Sequence, residues 1–291
     1  MTWSLDQATL SGHPLPQLAA DGDKEDRGAV LVVGGEVTIA GASILAGVAA
    51  LRVGAGKLQI RADRASAPAM AVAVPEAMII IARSTDPAPL IAAGAKASAL
   101  VVGPGMETGR PQRRLAVRLL DAAPTVPFVI DAGALPLRDD AVAFAAAAAG
   151  RTVLTPHAGE MAAILGRSKD DIRADPLGAA REAAAMFRAV VVMKGATTFV
   201  VSPDGATWRH GGGVAGLGTS GSGDVLAGAI GGLLARGVPP VAAALWGVVL
   251  HAQAGRDLSA GGAPLGFLAR ELLDRLPLVL GRICAEAESA A

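Results

Sequence analysis

The glycine-rich stretch G-T-S-G-S-G-D, from Gly218 to Asp224, runs directly into V-L-A-G-A-I-G-G-L-L-A-R. Apolar residues recur through the second part at helical spacing, and Gly237 is a suitable end for a helix. The glycine-rich loop therefore precedes a helix N-terminus, where unpaired N–H groups and the helix dipole favour phosphate. Because glycine lets the backbone approach an anion closely, the stretch predicts a phosphate-binding loop.

Asp224 ends this loop, and two interpretations are open for it. A carboxylate beside bound phosphate repels the ligand, so one interpretation makes it the general base for a hydroxyl that is about to be phosphorylated. The other makes it an ordinary N-cap residue of the following helix. The loop alone does not separate the two.

Strand and helix patterns alternate through the rest of the chain. Short apolar runs that end in glycine, such as A-V-L-V-V-G-G at 29–35, are typical of buried parallel strands. Further strands are predicted at 57–62, 77–82, 98–106, 127–135 and 189–195, a strand–loop–helix unit at 152–166 and an antiparallel hairpin at 197–210. Helices are predicted at 40–56, 111–120, 141–150, 176–188, 239–258 and 265–276. This alternation predicts an α/β fold whose mostly parallel sheet is covered on both faces.

Composition narrows the class of protein. The 291 residues are 52% hydrophobic and 18% charged, which allows a large core, and the net charge of zero argues against nucleic acid or a membrane as partner. The single cysteine, Cys284, excludes an internal disulfide and favours a reducing, cytoplasmic location. We find no signal-peptide pattern at the N-terminus and no apolar run long enough for a membrane span.

Polar and glycine-rich residues follow the predicted strands. In folds of this type the ligand lies beyond the carboxyl ends of the strands. The signals found there are Gly34-Gly35, Gly103-Pro104-Gly105, Asp131, His157 with Glu160, Lys194-Gly195 and the Asp224 loop. Their common position predicts one shared active site.

Each of these residues also has a structural interpretation. Asp131 could cap the turn after its strand, and Lys194 could be a surface lysine, although K-G-A-T-T suits a nucleotide phosphate or ribose. The ring of His157 could form its hydrogen bonds with the backbone. Glu160 could simply be a carboxylate at a helix start, where the helix dipole favours a negative charge. Their spacing of three lets both face one pocket, where Glu160 could organise magnesium-bound phosphate through water. We interpret His251 as a helix histidine at the edge of the core.

A resemblance to a known family rests on several motifs in a fixed order. They are D-K-E-D-R-G, V-L-V-V-G-G, G-A-S-I-L-A-G-V-A-A-L-R-V-G-A-G, V-G-P-G, V-I-D-A, L-T-P-H-A-G-E-M, V-V-M-K-G-A-T-T and G-T-S-G-S-G-D-V-L-A-G. From about Asp23 to Leu276 the chain resembles the ADP/ATP-dependent NAD(P)H-hydrate dehydratases of the ribokinase-like superfamily. The resemblance implies a ribokinase-like three-layer α/β/α sandwich with a mostly parallel central sheet. It places one such domain at 23–291, after a lead-in segment at 1–22 that we expect to be extended.

The resemblance also implies a hydro-lyase reaction of metabolite repair. Such enzymes use ADP or ATP, with Mg²⁺, to remove water from hydrated NADH or NADPH and restore the reduced cofactor. Asp224 would deprotonate the ring hydroxyl, the amides at 221–224 would hold the transferred phosphoryl group, and phosphate would then leave. The family also implies a homo-oligomer, which we expect to be a homotetramer.

Site residues carry over position by position. The resemblance implies contacts to the hydrated cofactor from Ala42, Gly105, His157 and Asp224. It implies nucleotide contacts from Lys194, Gly195, Ala196, Thr197, Thr198 and Gly223. The anion hole would comprise Gly221, Ser222 and Gly223, and Glu160 would approach the metal through water. The chain departs from the family pattern at Gly133 and Val214, where an aspartate and an asparagine are usual.

Two alternatives remain. One is a kinase of the same superfamily for a vitamin precursor, of the hydroxymethylpyrimidine or hydroxyethylthiazole type, which shares the glycine loop and its aspartate. The T-P-H-A-G-E-M and K-G-A-T-T motifs favour the dehydratase instead. The other is an inactive nucleotide-binding module, against which Asp224 and the intact loop argue.

Overall fold

The computed structural model describes residues 1–17, 22–83, 86–148, 150–260 and 264–289. Strands in this part of the chain are β1 (Trp3–Ser4), β2 (Ala29–Val33), β3 (Lys57–Ala62), β4 (Ala77–Ile81), β5 (Ala99–Val102), β6 (Phe128–Ile130), β7 (Thr152–Leu154), β8 (Val190–Met193), β9 (Thr198–Val201) and β10 (Thr207–His210). Helices are α1 (Gln7–Ser11), α2 (Ala40–Arg52), α3 (Ala67–Ala73), α4 (Ala88–Gly94), α5 (Arg110–Ala122), α6 (Ala141–Ala148), α7 (Ala158–Leu165), α8 (Lys169–Ala174), α9 (Pro176–Phe187), α10 (Ser222–Ala235), α11 (Pro240–Ser259) and α12 (Ala269–Ser289).

The strands form one sheet in the order β1-β10-β9-β8-β7-β6-β5-β2-β3-β4. Every neighbouring pair is parallel except those that involve β9, which is antiparallel to β8 and β10. Alternate residues of each strand enter different cores: Val30 and Val32 pack with α2, α10, α11 and α12, whereas Leu31 and Val33 pack with α4 to α9. This confirms the predicted three-layer α/β/α sandwich, including the hairpin.

The first residues differ from the expected extended lead-in. Trp3–Ser4 adds a parallel edge strand beside β10, and the Leu5 N–H donates to the Arg209 carbonyl at 2.8 Å. Leu5 and Leu10 are buried in the same core as α11. The segment is therefore partly regular and packed, while the proposed domain boundary between residues 22 and 23 stays a prediction.

The last helix also differs from its prediction. It begins at Ala269 rather than 265 and continues to Ser289, through Pro277. A proline inside a helix removes one backbone hydrogen bond, but Leu276, Val279 and Ile283 are buried and hold the helix on the core across that point. Within the described residues, no helix has the length and hydropathy needed to cross a membrane.

Helices α2 and α10 pack unusually close together, as the small residues of the predicted 40–56 helix require. A side chain at Gly228 would overlap the Ala46 carbonyl, and one at Gly232 would overlap the Ala50 carbonyl. Because each contact advances four residues along both helices, the two run parallel. Their N-termini therefore lie together at the edge where the parallel strands end.

Candidate active site

A cavity of about 650 Å³ lies at this edge, at the N-terminus of α10. One wall is the glycine loop, another is the turn that follows β8, and Leu217, Leu226 and Val248 make an apolar wall. This volume falls within the range of small-molecule sites, and the mixture of backbone, charge and apolar surface is typical of them.

The glycine loop has the predicted relation to its helix. Gly221, with φ +88, is the N-cap residue of α10, and no side chain caps this end. Asp224 lies in the first turn instead, so the N-cap interpretation of Asp224 is wrong. The Gly223 and Asp224 N–H groups have no acceptor among the described residues. An anion in the loop could therefore accept both hydrogen bonds.

Asp224 is a partly buried carboxylate that makes no hydrogen bond or ion pair within the described part of the chain. Burial raises its pKa to about 7; Asp131 and Glu160 contribute to the rise, and Lys194 opposes it. A carboxylate with a pKa raised into this range can accept a proton near neutral pH and hold it well. These are the properties of a general base.

Lys194, after β8, forms an ion pair with Asp131, which directly follows β6. Its Nζ lies 3.0 Å from Asp131 Oδ1, and Thr155 Oγ1 donates to the same oxygen at 2.6 Å. Burial opposes the charge on Lys194, but Asp131, Glu160 and Asp224 outweigh it and raise the pKa. The surface-lysine interpretation is therefore wrong, and so is the turn-capping interpretation, because the Asp131 side chain caps no turn.

His157 and Glu160 form a reciprocal cap at the start of α7. The Glu160 N–H donates to His157 Nδ1 at 3.0 Å, and the His157 N–H donates to Glu160 Oε2 at 2.7 Å. Glu160 Oε2 also lies 3.8 Å from Lys194 Nζ, and His157 lines the cavity. The structural interpretation therefore holds for this pair, while only His157 of the two lines the cavity and the magnesium role of Glu160 stays a prediction.

Gly105 and Ala42 lie next to each other, but neither is in the lining of this cavity. A side chain on Gly105, with φ +66, would lie 2.8 Å from Ala42 Cβ, and the preceding Pro104 carbonyl accepts from the Gly35 N–H at 2.7 Å. The register of α2 against α10 places Ala42 opposite Asp224, one turn before the contact of Ala46 with Gly228. Sequence reasoning missed Arg61, a buried strand residue whose Nη1 donates to the Gly35 carbonyl at 3.2 Å.

The nucleotide residues predicted after β8 and in the glycine loop lie on the cavity with one exception. Lys194, Gly195, Ala196, Thr198 and Gly223 line it, whereas Thr197 is outside its lining. A side chain on Gly223 would lie 3.2 Å from Lys194 Nζ, so glycine keeps the loop and the lysine close. The chain departs from the family pattern at Val214 and Gly133. Val214 lines the cavity. At Gly133, the carbonyls of residues 106 and 107 fill the space that a side chain would need.

His251 and Ser222 form a contact that sequence reasoning missed. His251 is buried, as expected for the core edge, but it also lines the cavity and lies 2.9 Å from Ser222 Oγ. No local motif could reveal this pair, because α11 lies far from the loop in sequence.

A mostly parallel sheet covered on both faces, with a glycine loop at a helix N-terminus and a carboxylate whose pKa is raised to about 7 beside a small-molecule cavity, is typical of an enzyme of the ribokinase-like fold that binds a phosphate-bearing ligand. The family model for NAD(P)H-hydrate dehydratase matches residues 30–278. The chain belongs to this family.

Individual relatives of the chain support the same family assignment. An ADP-dependent (S)-NAD(P)H-hydrate dehydratase from Xanthomonas campestris is 47% identical over 284 residues, which is 95% of each chain. A bifunctional NAD(P)H-hydrate repair enzyme from Moorella thermoacetica is 37% identical over 201 residues, or 69% of this chain and 38% of that protein. The crystal structure of an ADP/ATP-dependent NAD(P)H-hydrate dehydratase from Bacillus subtilis, co-crystallised with ATP/Mg²⁺, has a TM-score of 0.83 and 28% identity; the match covers 97% of this chain and 99% of that one.

Proposed function

We propose that this protein catalyses the ADP-dependent dehydration of hydrated NADH or NADPH and so restores the reduced cofactor. The observation that carries the proposal is Asp224, a partly buried carboxylate with a pKa of about 7, next to two N–H groups of the glycine loop that have no acceptor in the described part of the chain. A base and an anion site at one helix N-terminus suit the transfer of phosphoryl to a hydroxyl.

The reaction has two stages. Asp224 takes the proton of the ring hydroxyl while that oxygen attacks the terminal phosphoryl group of ADP, which releases AMP. The Gly223 and Asp224 N–H groups hold the charge on the transferred group. The carbon–oxygen bond then breaks, because the ring nitrogen supplies an electron pair and phosphate is a better leaving group than hydroxide. Loss of a proton from the adjacent carbon restores the reduced ring.

Lys194 has an electrostatic role in this scheme. Its ion pair with Asp131 keeps a cation beside Asp224, and that cation lowers the pKa of a base that burial would raise further. The cavity offers the same ammonium group to nucleotide phosphate. The adjoining Gly195, Ala196 and Thr198 suit the rest of the nucleotide, with the apolar wall for the base, while Ala42, Gly105 and His157 suit the hydrated cofactor.

Glu160 fits a magnesium ion held through water and phosphate oxygens. Among the described residues, no three His, Cys, Asp or Glu side chains are grouped closely enough to hold a metal alone. Glu160 nonetheless has one oxygen, Oε1, with no partner in that part of the chain. Magnesium usually keeps several waters and takes one or two carboxylates besides the phosphates. When bound there, the ion would supply charge neutralisation for the phosphoryl group.

The vitamin-precursor kinase is less supported as the function. It shares the fold and the base, so Asp224 does not separate it from the dehydratase. The family match over 30–278 and the 47% identity over 95% of both chains favour the dehydratase. A base with a pKa matched to neutral pH also argues against an inactive module.

The test supplies hydrated NADH, Mg²⁺ and either ADP or ATP to the purified protein, and follows recovery of the near-ultraviolet absorbance of NADH. Recovery that requires nucleotide supports the proposal and identifies the phosphate donor; parallel reactions with hydrated NADPH give the preferred cofactor. If the protein binds ADP but restores nothing, and instead phosphorylates a hydroxymethylpyrimidine or hydroxyethylthiazole, the kinase alternative is correct.

We also propose a cytoplasmic homotetramer. Strand β4 ends the sheet and exposes apolar side chains: Met78 is 55% exposed and Ile81 is 49% exposed, beside Val72 at 83%. Such an apolar edge favours association with another copy. Light scattering should give four times the chain mass, and a monomer at working concentration would contradict the proposal.

A further inference from the structure

His251 presents one ring nitrogen to two oxygens of the same residue. Its Nε2 lies 2.9 Å from Ser222 Oγ and 3.0 Å from the Ser222 carbonyl oxygen. Burial lowers the pKa of His251 to about 4, so the ring is neutral at neutral pH. Ser222 is the first residue of α10, immediately before Gly223.

The carbonyl oxygen settles which tautomer is present. A carbonyl can only accept a hydrogen bond, so Nε2 must carry the hydrogen, and the ring donates to both Ser222 oxygens. Ser222 Oγ therefore accepts from His251 and does not donate to it. The hydroxyl hydrogen has no acceptor among the described residues, although Ser222 is 3% exposed. A nearly buried hydroxyl with an unused hydrogen calls for an acceptor.

We propose that His251 is a positioning residue that turns the Ser222 hydroxyl hydrogen into the cavity, where it donates to a phosphate oxygen of the nucleotide. Ser222, Gly223 and His251 all line the same cavity. The inference rests on the proposed function, because it needs a phosphate group in the loop. It adds a side-chain donor to the backbone donors of that loop and assigns its orientation to a residue of another helix.

Five variants test this proposal. H251L removes the ring N–H, S222A removes the hydroxyl, and the double variant combines them. H251Q keeps an N–H at the position of Nε2, whereas H251N has the same amide on a side chain too short to reach it. Melting temperatures establish that each variant folds. The readouts are calorimetric ADP affinity and the KM values for ADP and for hydrated NADH.

Hydrogen bonds to charged groups are strong, so we expect S222A and H251L each to weaken ADP binding by roughly 10- to 100-fold. The KM for hydrated NADH should stay within about twofold, and H251Q should recover most of the ADP affinity while H251N should not. The double variant should be no weaker than S222A, because both changes remove one interaction.

Three results would overturn the inference. The first is an H251L variant that binds ADP with normal affinity. The second is a double variant whose loss of ADP affinity equals the product of the two single losses. The third is an equal ADP affinity of H251Q and H251N. In these cases a wild-type protein that restores NADH leaves the proposed function intact. A wild-type protein that neither binds ADP nor restores NADH overturns both.

Discussion

Asp224→Asn should remove activity and at the same time stabilise the protein. The amide has the same shape as the carboxylate but cannot accept the hydroxyl proton. General base catalysis contributes about 10²- to 10⁴-fold, so we expect turnover to fall by at least that factor while ADP still binds. The free energy of unfolding should rise because an ionised carboxylate at this partly buried position destabilises the folded state.

The magnitude follows from the pKa. Its rise from the ordinary 3.8 to about 7 corresponds to about 4 kcal/mol, since each pKa unit is worth roughly 1.4 kcal/mol. Asp224 keeps some contact with solvent, which screens its charge, so we expect the free energy of unfolding to rise by about 1–3 kcal/mol. Because ionisation is disfavoured in the folded state, the whole cost is present above pH 7 and disappears as the pH falls from about 7 to about 4.

Thermal and urea unfolding at about pH 8 and about pH 5 measure this effect. D224N should melt a few degrees above wild type at the higher pH, with a smaller gain at the lower pH. Asp139→Asn is the matched control, because it removes an exposed carboxylate and should change neither stability nor turnover. Near-normal turnover of D224N would exclude Asp224 as the base, and a loss of stability at the higher pH would refute the electrostatic reasoning.

Other expected outcomes concern the surroundings of this base. In wild type, kcat/KM should rise about tenfold per pH unit up to about pH 7 and then level off, as a pH–rate profile will show. Lys194→Met should move the rising part of this pH–rate profile to higher pH. It should also lower the free energy of unfolding in urea by about 3–5 kcal/mol, because Asp131 loses its partner. Asp131→Asn should move the rising part of the pH–rate profile to lower pH; a shift to higher pH would contradict its assigned effect. Gly223→Ala should weaken ADP binding at least tenfold by calorimetry, with little change in melting temperature, since the new methyl lies 3.2 Å from Lys194 Nζ.

The parts of the fold that sequence predicted are those with a local signal. The apolar strands, the glycine loop and the small-residue helix, predicted at 40–56 and ending at Arg52 in the structure, can each be recognised within a few residues. Trp3–Ser4 carries no such pattern, because a two-residue edge strand owes its form to β10, about 200 residues later in the chain. The extension of α12 through Pro277 was missed for the same reason, since tertiary packing overrides the local preference of proline.

The active site likewise has features that the sequence predicts and features that depend on the fold. Its residue types could be selected because they end strands, but their pairing depends on the order of strands in the sheet. Asp131 and Lys194 lie 63 positions apart, and they meet because β6, β7 and β8 are neighbours. The partnership of Ser222 with His251 similarly depends on how α11 packs against α10.

This order of strands adds to the burial that raises the pKa of Asp224, the proposed general base. An aspartate at a helix N-terminus is expected to have a lowered pKa, because the dipole favours its charge. Here burial dominates, and the end of β6 and the start of α7 contribute two further carboxylates against the single cation of Lys194. Because two carboxylates face one cation, the cluster of Asp131, Glu160 and Lys194 next to Asp224 has an excess of negative charge. In the proposed mechanism the glycine loop therefore provides the anion site, while burial and the neighbouring carboxylates raise the pKa of its aspartate into the range that a general base requires.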